Sequence, residues 1–188
     1  MSTVWFTSDE HYGHRNIIKY CNRPFEDVND MDSILIFNHN CNVNNEDWVI
    51  HGGDFSMIRN KETVYRKYIS YLKGKHVFLR GSHDYWMRDG TRYGEIWERR
   101  FGEYYIVVCH YAMRVWPRSH YGSFMLYGHS HGNLPPVGKQ HDIGVDNNNY
   151  RPISLDEVIE IMKTRDDNPN YLSLSNSNSQ LLNSQGEN

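Results

Sequence analysis

The chain has 188 residues and a formal net charge of −3 at pH 7, a length that suits one domain with a sizeable core and leaves little room for a second. Its hydrophobic content of 38%, its three cysteines without C-x-x-C spacing and its lack of any run of 18 apolar residues exclude gross disorder, a zinc ribbon, a disulfide framework and membrane insertion. The negative balance argues against affinity that rests on blanketing nucleic acid with positive charge.

Reduced thiols and an N-terminus without a signal-peptide pattern lead to the expectation of a cytoplasmic protein with no membrane partner. Short apolar or β-branched runs predict strands at residues 3–8, 47–51, 76–80, 104–109 and 123–128. Between the first two, residues 14–21 and 29–40 predict helices, the latter with Met31, Ile34, Leu35 and Asn38 at helical spacing. After the second strand, residues 61–74 predict a helix with Val64, Tyr65, Tyr68, Ile69 and Leu72 on one face and Gly74 at its C-terminus. Ser154 and Glu157 form a capping box ahead of a helix over 155–163. Strands alternating with helices, then closely spaced strands after residue 100, predict a layered α/β sandwich with an antiparallel or mixed second half. Residues 1–165 form the domain, and residues 166–188, rich in Asn and Ser, read as a tail. Tyr171, Leu172, Leu174, Leu181 and Leu182 offer that tail apolar contacts for packing back. The five tryptophans, Trp5, Trp48, Trp86, Trp97 and Trp116, read mainly as core or pocket wall.

Each predicted strand runs out into a carboxylate or an imidazole. The exits are Asp9-Glu10-His11, Gly52-Gly53-Asp54, Gly81-Ser82-His83-Asp84, Cys109-His110 and Gly128-His129-Ser130-His131. Ligands of α/β sheets sit outside the carboxyl ends of strands, so these side chains can converge on one crevice. Gly53, Gly81 and Gly128 allow the immediate turns this needs. Mixed imidazole and carboxylate donors suit divalent Mn, Fe or Zn, and two such ions close together make a phosphoester-hydrolysing centre. Asp9 with His11, and His129 with His131, are spaced to point the same way from an extended exit. Asp54 is the natural bridge.

These motifs, DEH at 9–11, GD at 53–54, GSHD at 81–84, His110 and GHSH at 128–131, resemble those of the calcineurin-like metallophosphoesterases. The phrases TSDEHYGHRNIIKYCNRPF, CHYAMRVWPRSHYGSFMLYGHSHG and GVDNNNYRPISLDEV look like the small, capless bacterial and phage branch of that family. The resemblance implies two central mixed β-sheets flanked by helices. It implies that Asp9, His11 and His131 hold a first metal, that Asp54 bridges, and that His110 and His129 hold a second. The family's Asn ligand to that second metal falls at Ser82, whose hydroxyl is a shorter and poorer donor. Two divalent ions of the Mn, Fe, Zn, Ni or Co group are implied, Mn favoured. A water or hydroxide held by both ions would attack phosphorus in line, with His83 protonating the leaving oxygen or stabilising the transition state as a cation, and Asp84 favouring the protonated imidazole.

His14, Arg23, Arg114 and His120 are candidate substrate contacts, Arg23 because a guanidinium fork matches phosphate oxygens. His51 is expected to be packed, and His39, His76 and His141 have no evident partner. The expected substrate is a small phosphomonoester or phosphodiester, nucleotides among them, recognised by loops around 12–25, 55–60, 84–95 and 112–122. A nuclease acting on nucleic-acid ends is the less favoured reading, hinted at by Tyr85, Trp86, Arg88, Arg92 and Tyr93. A metal-binding scaffold with attenuated catalysis is the reading that Ser82 favours.

Overall fold

The computed structural model describes residues 2–87 and 94–172. In chain order the elements are β1 (Val4–Thr7), α1 (Ile17–Tyr20), α2 (Val28–Asn42), β2 (Trp48–His51), α3 (Lys61–Lys67), β3 (Lys75–Phe78), β4 (Ile96–Phe101), β5 (Tyr104–Cys109), β6 (Phe124–Tyr127), β7 (Gln140–Asp142), β8 (Ile153–Ser154) and α4 (Leu155–Lys163). The strands form two four-stranded mixed sheets, ordered β3-β2-β1-β8 and β4-β5-β6-β7. In the first, β1, β2 and β3 are parallel, with Phe6 opposite Ile50 and Ile50 opposite Val77, and β8 is antiparallel to β1. In the second, β5, β6 and β7 are parallel and β4 pairs antiparallel with β5.

Alternation along the strands builds three layers of core. Phe6, Ile50, Ile106, Val108 and Leu126 fill the space between the sheets, closed by Val158 and Met162 of α4. The intervening residues Val107, Cys109, Met125 and Tyr127 face outward and are covered by Trp116 from the β5–β6 connection. On the other side, Met31 and Leu35 of α2, Val64 of α3 and Trp86 pack with Phe55 and Phe78. Asp27 caps α2 by accepting from the Asn29 and Asp30 N–H groups, and Ser154 with Glu157 completes the expected capping box of α4.

The helix expected over 61–74 ends early. At Tyr68 the backbone leaves the helical region (φ −128°, ψ −64°) and a 3-10 turn, Ile69–Tyr71, follows. That departure carries the Tyr68 ring onto Tyr12, centroids 4.7 Å apart, and lets its hydroxyl donate to Asp32 Oδ2 at 3.0 Å. Tyr65 is left exposed, and Gly74 serves the turn into β3. Strands β4 and β7 lie outside the expected set, as does the two-residue β8. The first two carry charge or polarity, IWERRF and QHD, and lack the apolar run that marks a strand. Of the tryptophans, Trp86 and Trp116 are buried while Trp48, at the start of β2, is exposed. Tyr171 and Leu172 remain largely exposed, although the Leu172 N–H donates to the His120 carbonyl. Leu174, Leu181 and Leu182 lie outside the described residues. No helix among the described residues is long and apolar enough to cross a membrane.

Candidate metal centre

The strand exits are laced together by main-chain bonds. The N–H groups of Asp9 and His11 donate to the carbonyls of Gly53 and Asp54, both at 3.0 Å, and the Gly128 N–H donates to the His110 carbonyl at 3.1 Å. At Gly81 a Cβ would run into the Asp54 carboxylate, and at Gly128 into Ser8 Oγ and the Asp9 carboxylate. Only glycine admits so close an approach. Among the described residues, nine other than glycine have positive φ, and five of these are Asp9, His11, Asp54, His129 and His131. Left-handed backbone is unfavourable for such residues, and its concentration at the strand exits marks a functional site.

Two groups of ligand atoms result, each lying within 4.8 Å of one another: Asp9 with His11 and His131, and Asp54 with His110 and His129. Asp54 Oδ2 faces both groups, 3.8 Å from His11 Nε2 and 3.4 Å from His110 Nε2. Asp9 Oδ1 lies 3.9 Å from the Nε2 atoms of His11 and His131. The Nε2 atoms of His11 and His110 are buried without a hydrogen-bond partner, an arrangement that disfavours folding unless something occupies the lone pairs. Burial pushes Asp9 up to about 7 and His11 down. Burial also opposes ionisation of Asp54, but the His110 imidazole and the His83 N–H outweigh it and hold the carboxyl below the usual carboxylate range. Buried carboxylates facing unpartnered imidazole nitrogens fit divalent cations.

The second group is the more open, with His129 exposed. Ser82 sits beside it, its hydroxyl donating to Asp54 Oδ2 at 3.1 Å. His83 donates its N–H to Asp54 Oδ1 at 2.8 Å, and its half-buried ring lies 5.5 Å from that of His11. His14 joins the same cluster, its ring 5.3 Å from His11.

Two expectations are corrected, and two find no support at the strand exits. The Asp84 carboxylate accepts the N–H groups of Asp54 (2.7 Å), Phe55 (2.9 Å) and Gly81 (2.9 Å) and the Trp86 indole N–H (2.9 Å). It knits the Asp54 and Ser82 turns together and is not turned toward the His83 ring. Arg23 is buried and all five of its N–H donors are engaged: by Asp146 at Nε and Nη2, by the Asp9 and Glu10 carbonyls, and by Met31 Sδ. No donor is left for a phosphate. Arg114 lines a separate surface cavity with Val115, Leu134 and Pro135. His120 lies in the Ser119–Tyr121 turn, its ring 4.0 Å from that of Tyr121. Among the described residues no hydrogen bond or ion pair is found between the side chain of either and the strand-exit groups.

Three histidines without an evident partner in the sequence have one here. His51 Nδ1 is hydrogen-bonded to Glu10 Oε1 at 2.8 Å and its Nε2 to His76 Nδ1 at 3.0 Å, while His39 Nε2 donates to the Lys73 carbonyl at 2.8 Å. His141 Nε2 reaches Asn148 Oδ1 at 3.3 Å. Sequence reasoning also missed Asp146, whose Oδ2 accepts from His131 Nδ1 at 2.7 Å. It follows β7, the polar strand without an apolar run, so the one available signal, an Asp two residues after a Gly, stood without a strand in front of it.

Two mixed sheets that gather carboxylates and unpartnered imidazoles at their strand exits define a metal-binding α/β sandwich. The chain belongs to the calcineurin-like phosphoesterase family, whose model matches residues 2–179, and that membership implies metal-dependent phosphoester hydrolysis. It is 32% identical over 170 residues to an uncharacterized protein of Methanocaldococcus jannaschii, covering 87% of this chain and 93% of that one. A protein of unknown function from Aquifex aeolicus has the same fold, with a TM-score of 0.68 at 21% identity over 86% of this chain and 100% of the other.

Proposed function

We propose that the chain is a two-cation phosphoesterase acting on a small or accessible phosphomonoester or phosphodiester. The observation that carries this reading is the Asp54 carboxylate, which faces an imidazole of each ligand group and is held in place through His83 N–H and Ser82 Oγ. Asp9, His11 and His131 would hold one cation and His110 and His129 the other, with Mn favoured among Mn, Fe, Zn, Ni and Co. Such cations supply the positive charge that acidifies an attacking water and neutralises the phosphoryl oxygens. His83, anchored through its main chain and presenting a half-buried ring beside His11 and His14, is placed to hand a proton to the leaving oxygen. Asp84 fixes the turn that carries it.

Beside His110 and Ser82 lies an open cleft of about 370 Å³, lined also by Arg80, Ile96, Tyr111 and Met113. The Tyr111 ring is exposed and packs edge-on to His110 and His129. An aromatic face and apolar neighbours suit an ester whose organic part is flat, and nucleotide-like substrates meet that description, while the Arg80 guanidinium is held by Glu95 of the same lining at 2.8 Å. The nuclease reading loses a platform, because Trp86 is buried, and Arg88, Arg92 and Tyr93 lie outside the described residues. The free cysteines, Cys21, Cys41 and Cys109, accord with a cytoplasmic setting.

The test is hydrolysis of a generic phosphodiester and a phosphomonoester by chelator-stripped protein, with Mn, Ni, Zn or Mg returned singly. Turnover is expected with Mn, and Asp54→Asn should reduce it at least about 100-fold, the scale of losing a group that acts directly in the reaction. Equal turnover by the variant would overturn the site. Two bound cations without turnover on either ester would favour the scaffold reading.

A further inference from the structure

Asp146 lies in the Val145–Asn147 turn, remote in sequence from the D-x-H and H-x-H motifs, yet it joins their two ends. Its Oδ1 accepts from Arg23 Nε at 2.8 Å, and its Oδ2 accepts from Arg23 Nη2 at 2.8 Å and from His131 Nδ1 at 2.7 Å. The same guanidinium donates to the Asp9 carbonyl at 2.7 Å and the Glu10 carbonyl at 3.0 Å. One arginine therefore ties the main chain carrying Asp9 and His11 to the carboxylate that holds His131. We propose that Asp146 and Arg23 are positioning residues for the first cation: they fix the His131 ring with its proton on Nδ1, so that the Nε2 lone pair faces Asp9. This rests on the two-cation reading above.

The chemistry leaves little choice of tautomer. A carboxylate that already accepts from a guanidinium only accepts, so Nδ1 must donate. Nε2 is then bare, and it lies 3.9 Å from Asp9 Oδ1 on the side where the His11 ring stacks, 5.3 Å away. His131 needs such an anchor, because its own backbone is left-handed (φ 46°) on a turn. Asp146 could instead be read as a ligand, since it forms a third group with Cys21 and His131. Against that, both of its oxygens face the Arg23 cation, and burial pushes the Cys21 thiol up to about 11, which keeps it protonated and a poor donor.

Asp146→Asn breaks the arrangement even though it keeps the shape. Turned one way, the carboxamide points its NH₂ group at Arg23 Nε, donor against donor. Turned the other way, the NH₂ group faces His131 Nδ1, which must then accept, and the proton moves to Nε2, where the cation would bind. Cobalt titration of the chelator-stripped full chain, followed by visible absorption, is expected to show the tighter Co²⁺ weakened about 10- to 100-fold in Asp146→Asn, as for other partners of ligating histidines. Binding at the Asp54, His110 and His129 group should be unchanged, which general loosening of the fold would not spare. Equal affinity of the tighter site in wild type and variant overturns the proposal. Because Arg23 is buried and the variant can fail to fold, wild-type protein gives a second reading. Nitrogen NMR of the metal-free chain, at a pH where His131 is neutral and with His131→Gln for assignment, should show the Nδ1–H tautomer, and an Nε2–H tautomer refutes the proposal. If wild type binds no cobalt, the two-cation reading fails, while the tautomer still decides the role of Asp146.

Discussion

Asp54 Oδ2 faces two imidazole nitrogens and also accepts the Ser82 hydroxyl. A serine here contributes a hydrogen bond to the Asp54 carboxylate, where on the two-cation proposal a longer carboxamide would offer the second cation a donor oxygen. Ser82→Asn is therefore expected to tighten the weaker Mn²⁺ site on the order of tenfold, about 1.4 kcal/mol, as read by calorimetric titration. Identical isotherms for the two proteins would mean that Ser82 does not limit that site. Spacing made the candidate ligand groups legible, since D-x-H, GD and H-x-H each follow an apolar run. Arg23 and Asp146 were not legible as a pair, because their contact spans 123 positions of chain and neither carries a local signature. Arg23, read alone, looks like a phosphate ligand, and only the count of its engaged donors shows otherwise.

Between α2 and the first sheet, His39, His51 and His76 cluster with ring centroids 5.2–6.4 Å apart, and His51 is hydrogen-bonded to Glu10. Burial pushes His39 down to about 4 and His51 and His76 to about 3. In the unfolded chain these imidazoles take up protons near pH 6.5, and the folded chain refuses them until pH is far lower. Their contribution to stability is complete above about pH 6.5 and is lost as pH falls toward 4. Burial raises Glu10 to about 7, which acts in the opposite sense: the folded chain keeps a proton that the unfolded chain has released. Three imidazoles against one carboxyl leave a net loss in acid. Replacing His76 by Gln should flatten the dependence between pH 6.5 and 4 by at most about 1.4 kcal/mol per pH unit, measured by urea unfolding in metal-free buffer. Parallel curves for His76→Gln and wild type would contradict this account. The elements themselves were legible where packing agrees with local pattern, as in α4 with its capping box. They were not where one contact overrides the pattern, as at Tyr68, which leaves its helix to reach Asp32, or where a strand is paired without being apolar, as in β7.

Across the whole molecule, parallel pairing turns a scattered set of residues into a site. The exits of β1, β2 and β3 come together at one edge of their sheet, those of β5 and β6 at one edge of theirs, and the bonds of His110 Nδ1 to the Gly52 carbonyl and of His129 N–H to the Asp9 carboxylate join the two edges. Alternation and strand–helix order made the sandwich readable. The covering of the outer face of the second sheet by the irregular Trp116 segment was not, because no periodicity announces it. On the two-cation proposal, this joined edge holds two cations about Asp54. Equilibrium titration of the chelator-stripped chain with Mn²⁺, wild type beside Asp54→Asn, tests it most directly. Two Mn²⁺ per wild-type chain, with at least one lost or strongly weakened in Asp54→Asn, is the predicted result. No Mn²⁺ uptake by wild type, or uptake unchanged by Asp54→Asn, would contradict it.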